Sequence, residues 1–354
     1  MDETTDSVIV SSLMNPKFRW GVLSTGRIAV VFAKAVGESR TGTVVAVASR
    51  DRRKAEEFAA GFDIPEFYGS YEELIEDPTV QGVYIATPHP QHFEWTLQAI
   101  RAGKHVLCEK PLTMTLAEAR EVAAEARSWG VVVMEGFMYR CHPQTQKVLE
   151  LIRAGAIGKV GLVQAAFSFD APFSPGSRLW NPELGGGGIL DVGGYTTSWA
   201  RLVAGATAGK PFLDPVEVHG SAVFHPQTGV DVHAIANLVF PNGMLAQVSC
   251  GVGLGQENVV RIYGSEGWLT VISPYVVTRN LLPSRILLQR PGAPRPEEIL
   301  ITPDRSLYAY EADAFAEAVW AGEREVAAMT LDDTLGNMAT LDRWLASARE
   351  KEAG

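Results

Sequence analysis

Two short stretches hold the side chains best suited to chemistry. In Glu109-Lys110-Pro111 a charged pair follows directly on the apolar run 105–108. Charges at the end of a buried strand are costly unless a site uses them. A residue before proline is pushed out of the α region, so Lys110 is presented at the strand end instead of continuing into a helix. The second stretch runs from Gly185 through Gly186, Gly187, Gly188, Ile189, Leu190, Asp191, Val192, Gly193 and Gly194 to Tyr195. Spacing of four residues puts Asp191 and Tyr195 on one face of a helix. Gly193 and Gly194 inside that helix each cost about 1 kcal/mol relative to alanine, which points to a close approach of ligand or backbone. An ammonium beside a phenol favours the phenolate. A partly buried Lys110 next to a tyrosine would lower that phenol's pKa. The plainer readings are a surface salt bridge at Lys110 and a glycine loop leading into a packed helix with a buried tyrosine.

The elements that must position these residues read as α/β. Between residues 18 and 135 the near-continuous apolar runs FRWGVLS, TVVAVAS, GVYIAT, KHVLCE and VVVME alternate with helical spacing at 28–36, 52–60, 92–102 and 116–128. Strands buried on both faces look like this, and strict alternation predicts a doubly wound parallel sheet. After Pro143 the pattern changes. A helical stretch at 144–154 precedes strand candidates at 160–170, 216–224, 231–240, 243–251, 258–263 and 268–271, with a Pro-Asn-Gly hairpin signal at 241–243. Several alternate in polarity, which predicts an open, mostly antiparallel sheet with helices on one face. Stretches 308–321 and 331–351 read as amphipathic helices. The expected organisation is a flexible arm (1–16), a doubly wound α/β domain (17–140), a second α/β domain (141–330), and a final helix (331–354) that packs back on the first domain.

The first strand runs into Ser24-Thr25-Gly26-Arg27-Ile28-Ala29. A dinucleotide site needs a tight turn here, so that backbone N–H groups and a helix N-terminus face the pyrophosphate. The usual G-x-G-x-x-G/A pattern has Ser24 in place of its first glycine; an ordinary strand-to-helix turn is the alternative. The second strand ends in Ser49-Arg50 where an NAD site carries an acid. An arginine there neutralises a 2′-phosphate, so Ser49 and Arg50 favour NADP over NAD, although Asp51 could reach the ribose and NAD stays possible. Ala86-Thr87-Pro88 closes another strand at the carboxyl edge where ligands of such sheets bind. His89 and His92 follow. Their spacing could suit a metal, but no third ligand is near, so His92 is assigned to the helix start and cofactor edge, and no metal is expected.

The 354-residue chain has net charge −10, 46% hydrophobic and 20% charged residues, a globular composition that disfavours phosphodiester backbones and anionic membranes. It has no apolar run long enough for a membrane span. The acidic N-terminus lacks a secretion signal, and the three cysteines, Cys108, Cys141 and Cys250, have no CxxC spacing. These features predict a cytoplasmic protein without nucleic-acid or membrane partners.

The set Ser24–Ala29, Ala86-Thr87-Pro88, Glu109-Lys110-Pro111, Arg178-Leu179-Trp180-Asn181-Pro182-Glu183 and the Asp191/Tyr195 segment resembles the Gfo/Idh/MocA oxidoreductases over nearly the whole chain. Tyr195, where many members carry histidine, resembles the branch of glucose-fructose oxidoreductase, dimeric dihydrodiol dehydrogenase and NADP-dependent xylose dehydrogenase. The resemblance implies a Rossmann dinucleotide-binding domain at 17–140, a substrate and oligomerisation α/β domain at 141–330, a Lys110-Pro111 bond that is often cis, Lys110 beside the nicotinamide, Tyr195 as acid/base, and a dimer or tetramer formed through the second sheet. Ser24, Thr25, Gly26, Arg27, Ile28, Ser49, Arg50, Ala86, Thr87, Pro88, His92, Glu109 and Lys110 are then the expected cofactor contacts. Lys110, Asp191 and Tyr195 are the expected catalytic set. Tyr139, Arg140, Arg178 and Trp180 are the expected rim for a carbohydrate-like substrate, with core or interface positions as the alternative. In oxidation Tyr195 accepts the hydroxyl proton while hydride leaves the same carbon. Two rivals remain: a retained, recycled cofactor serving glycoside hydrolysis or elimination, and a non-catalytic NADP-binding regulator.

Overall fold

A computed structural model describes residues 17–277 and 281–352. The expected arm at 1–16 and the last two residues of the expected final helix lie outside the described residues.

Six parallel strands form the first sheet: β1 (Phe18–Leu23), β2 (Gly42–Ala48), β3 (Glu66–Tyr68), β4 (Gly82–Ile85), β5 (His105–Glu109) and β6 (Val133–Gly136). Their order is β3-β2-β1-β4-β5-β6, the doubly wound arrangement whose carboxyl edge opens a crevice beside β1 and β4. Helices α1 (Arg27–Glu38), α2 (Arg52–Phe62), α3 (Tyr71–Glu76), α4 (His92–Arg101) and α5 (Leu116–Trp129) make the crossovers. Local signals set their ends. Thr115 and Glu118 form a reciprocal capping box at the start of α5, and Gly130 closes it at φ 68°, satisfying backbone groups that a helix end leaves free. The sixth strand, β3, escapes the sequence reading. It is an edge strand of three residues, exposed or half-buried, too short to carry a periodicity.

The second sheet has eight strands: β7 (Val160–Ser168), β8 (Glu217–Phe224), β9 (Asp231–Val239), β10 (Leu245–Gly251), β11 (Val259–Gly264), β12 (Gly267–Ile272), β13 (Ser284–Gln289) and β14 (Glu297–Ile301), in the order β14-β13-β12-β11-β7-β10-β9-β8. Every pairing is antiparallel except β10 with β7. The 241–243 turn joins β9 to β10, with Gly243 at φ 82°. β13 and β14 are two further strands absent from the sequence reading.

Helix α6 (Pro143–Arg153) leads into this domain, and α7 (Gly194–Thr207) crosses its inner face, packed on β7 and β10. Helix α8 (Leu307–Trp320) returns to the first domain and lies on α1. There Asp313 accepts from Thr41 N–H (3.0 Å) and from the Ser39 and Thr41 hydroxyls (2.5 and 2.6 Å). Helix α9 (Leu331–Glu352) runs along β8 and also touches α5 and α7. Fully buried Trp20, Tyr139, Trp199 and Trp344 belong to one core spanning both sheets. The catalytic candidates are thus presented by two continuous, mutually packed layers.

Candidate active site

At the first crevice wall, β1 ends at Leu23 and Ser24 takes φ 99°, the left-handed region that the usual pattern reserves for glycine. Ser24 Oγ accepts the Gly26 N–H at 3.1 Å, holding a turn whose strain is tolerated where function needs the geometry. Helix α1 then begins with no side-chain cap and no acid in its first turn. Its free N–H groups form an anion site. Ser24, Thr25 and Ile28 are half-buried, while Gly26 and Arg27 are exposed.

At the end of β2, Ser49 is buried and Arg50 exposed. Asp51 is turned away as the N-cap of α2, accepting from Arg53 and Lys54 N–H at 3.1 and 3.4 Å. At the end of β4, Ala86 and Thr87 are buried, and Thr87 Oγ1 has no partner. An uncapped helix start, a basic strand end and an orphaned hydroxyl along one crevice fit a dinucleotide.

His92 stands apart from the expected cofactor contacts. It is fully buried, with Nδ1 2.7 Å from Pro111 O and Nε2 2.8 Å from Thr87 O. Both ring nitrogens face backbone carbonyls, so buried His92 lies between the loops after β4 and β5, with its one N–H donating to one of them when the ring is neutral. Burial pushes its pKa down, although both carbonyls favour the protonated ring.

The Lys110-Pro111 bond is cis. Behind it, Glu135 on β6 accepts the Leu112 N–H at 3.0 Å, and Glu109 accepts the Tyr84 hydroxyl at 2.5 Å. Lys110 itself leaves the first domain. Its Nζ donates to Asp191 O (2.8 Å) and to Asp191 Oδ1 (3.1 Å). Asp191 sits in a π-helical turn, Ile189–Gly193, that leads directly into α7. Such one-turn insertions recur at functional sites, and this one keeps Asp191 and Tyr195 turned towards the same lysine. Lys110 Nζ lies 5.2 Å from the Tyr195 ring centroid.

Asp191 is 3% exposed, and Arg178 Nη1 adds a second charged donor to Oδ1 at 2.7 Å. Burial would raise this carboxyl, but Lys110 and Arg178 hold it well below the ordinary range. Arg178 also faces His89 Nε2 at 3.3 Å. Burial, Lys110, His92 and Arg178 push the His89 pKa down to about 2. His89 is therefore a neutral acceptor for Arg178, a site residue that the sequence reading weighed only as a metal ligand. Its place directly after the β4 strand end was the available signal.

Tyr195 lies among Phe137, Tyr139, Phe167 and Tyr275, with ring centroids 5.0 to 5.9 Å away. Its hydroxyl donates to Met138 Sδ at 3.6 Å. The sequence reading expected Lys110 to lower the phenol's pKa. Instead, burial and then the negative charges of Glu109, Asp191 and Glu311 raise it well above 10. The physical reason is that Lys110 directs its donors to Asp191, leaving the phenol in an apolar cage.

Three of the four expected rim residues are corrected by burial. Tyr139 is fully buried, stacked on Trp199 at 5.4 Å and bonded to Ser198 Oγ at 2.8 Å. Arg140 is also buried, with Nη2 on Asp333 Oδ2 at 2.5 Å and Nη1 on Ser198 Oγ at 2.9 Å. Both hold α7 and α9 in place. Trp180 is covered by Phe173 and His225, at centroid distances of 5.2 and 5.4 Å. Arg178 alone of the four reaches the centre.

Known proteins share this architecture. Residues 18–137 match the family model "Oxidoreductase family, NAD-binding Rossmann fold", and residues 145–270 match "GFO/IDH/MocA C-terminal domain". The chain is 39% identical over 251 residues to trans-1,2-dihydrobenzene-1,2-diol dehydrogenase of Mus musculus, covering 70% of this chain and 73% of that one. It resembles the solved structure of KijD10, a 3-ketoreductase from Actinomadura kijaniata in complex with NADP and TDP-benzene (TM-score 0.82, 28% identity, 94% and 98% covered). It also resembles aldose-aldose oxidoreductase from Caulobacter crescentus complexed with glycerol (TM-score 0.84, 26% identity, 95% and 98% covered). With its nucleotide crevice, its cis Lys110-Pro111 and its Asp191/Tyr195 helix, this chain belongs to the Gfo/Idh/MocA family of NAD(P)-dependent oxidoreductases.

Proposed function

We propose that the protein is an NADP-dependent dehydrogenase or reductase acting on a CH–OH group of a sugar, polyol or dihydrodiol. The observation that carries this reading is the convergence of Lys110, from the end of β5, with Asp191 and Tyr195, from the helix of the second domain. A nicotinamide dinucleotide held at the Ser24–Ile28 turn, Arg50 and Thr87 would supply the hydride acceptor or donor. Tyr195 exchanges the proton with the substrate oxygen. Asp191, ionised between two cations, fixes Lys110 and Arg178 and leaves their remaining donors for substrate hydroxyls.

A phenol held well above its usual pKa is protonated at neutral pH. It is then ready to donate to a carbonyl, while oxidation requires it first to lose that proton. Arg50, exposed once Asp51 has capped α2, supports the preference for a 2′-phosphate. Relatives named as a dihydrodiol dehydrogenase, an aldose-aldose oxidoreductase and a 3-ketoreductase support an alcohol or carbonyl as the reacting group. The open face of the second sheet exposes Val223, Ile235, Leu245 and Leu300, which supports a homo-oligomer formed there. No helix among the described residues is long and apolar enough to cross a membrane. The free cysteines fit a reducing cytoplasm.

The test is absorbance of reduced cofactor with NADP+ or NAD+ and trans-1,2-dihydrobenzene-1,2-diol, D-xylose, D-glucose, levoglucosan and myo-inositol. Reduction of NADP+ by at least one alcohol is expected. Tight NADP+ binding with no turnover in either direction would leave a regulator, and glycoside cleavage without net reduction would leave a recycled cofactor.

A further inference from the structure

The glycine run ahead of Asp191 has a partner that the catalytic reading does not use. Asp231, at the start of β9, is buried, and its Oδ2 accepts the Ile189 N–H at 2.6 Å. Gly187, at φ 107°, passes so close that any Cβ there would overlap Asp231 Oδ1. A Cβ on Gly188 would come within 3.0 Å of the Gly251 backbone. The glycines thus make room for a carboxylate and a strand of the protein itself, so that the free N–H groups opening the helix meet a fixed acceptor.

We propose that Asp231 is a positioning residue for the proposed hydride transfer, anchoring the first turn of the helix so that Asp191 and Tyr195 face Lys110. The inference rests on the catalytic reading above. It differs from that reading in placing a requirement 40 residues away, on a side chain that touches neither substrate nor cofactor. The groups around Asp231 are the N–H donors of Gly188, Ile189 and its own residue, Arg349 on α9 and the Cys250 thiol on β10. Burial outweighs those donors and Arg349, raising the carboxyl to about 7.

Asp231→Ala and Asp231→Asn test this, with hydrogen exchange at the Ile189 amide, NADP+ affinity by fluorescence, and kcat on the fastest alcohol of the panel. Misplacement by about 1 Å costs up to about 10²-fold in rate. In Asp231→Ala, faster Ile189 exchange and a kcat loss of roughly 10- to 100-fold are therefore expected, with NADP+ affinity within twofold of wild type. Asp231→Asn keeps an acceptor oxygen and recovers part of that loss. If Asp231→Ala does not fold, the Asn variant's Ile189 exchange and its partial kcat loss carry the test. Wild-type kcat in a folded variant, with or without faster exchange, overturns the proposal. Failure of the catalytic reading is distinguishable, because it leaves Tyr195→Phe at wild-type rate.

Discussion

Replacing Tyr195 with phenylalanine separates catalysis from packing, because the structure predicts opposite signs for the two. The phenol is 4% exposed, and among the described residues its hydroxyl has only the Met138 thioether as acceptor, at 3.6 Å. A thioether accepts weakly. Burying a hydroxyl without a good partner costs about 1–3 kcal/mol on mutational scales. Phenylalanine removes that cost while keeping the ring contacts to Phe137, Phe167 and Tyr275. The variant should therefore fold with a Tm that is unchanged or higher by roughly 1–3 °C. If the hydroxyl exchanges the substrate proton, kcat should fall by about 10²–10⁴-fold, the usual value of positioned acid/base help. NADP+ affinity should stay near wild type, since no cofactor contact is altered. Differential scanning calorimetry, cofactor titration and steady-state kinetics on one preparation give all three numbers. A kcat within threefold of wild type, or a Tm lowered by several degrees, would refute the reasoning. The first result removes Tyr195 from the chemistry, and the second shows a structural hydroxyl. Stability given up at a functional residue is a common trade.

Two further outcomes follow from the same geometry. Lys110→Ala should lower kcat at least 10²-fold by removing the cation that Asp191 holds in place, while leaving NADP+ binding within a few fold; wild-type turnover in this variant excludes Lys110 from the site. Tyr195 must be deprotonated for oxidation and protonated for reduction, and its folded pKa lies well above 10. Alcohol oxidation should therefore gain close to tenfold in kcat/KM per pH unit up to about pH 9, while carbonyl reduction stays flat over that range. A flat oxidation profile would identify a different base.

The doubly wound sheet was legible because its signals are local. Continuous apolar runs of five to seven residues mark strands covered on both faces, and the serine-glycine turn or the Lys-Pro pair falls where those runs stop. Asp191 and Tyr195 were legible as a pair for the same reason, since helical spacing is a property of neighbours in the chain. Strands β3 and β14 fell below that resolution, being short with few buried residues. Side-chain direction was harder still. Tyr139 and Arg140 carry residue types suited to a sugar-binding rim, yet contacts with Trp199, Ser198 and Asp333, all more than fifty residues later, draw them into the core. Arg178 and His89 join Asp191 only once the Pro182–Leu184 turn lies against the His89–Gln91 turn. The protonation of Tyr195 and Asp231 depends on how much water each has lost and which charges face it. Both quantities arise from the folded whole, since an isolated segment leaves a carboxyl or a phenol in solvent at its ordinary pKa.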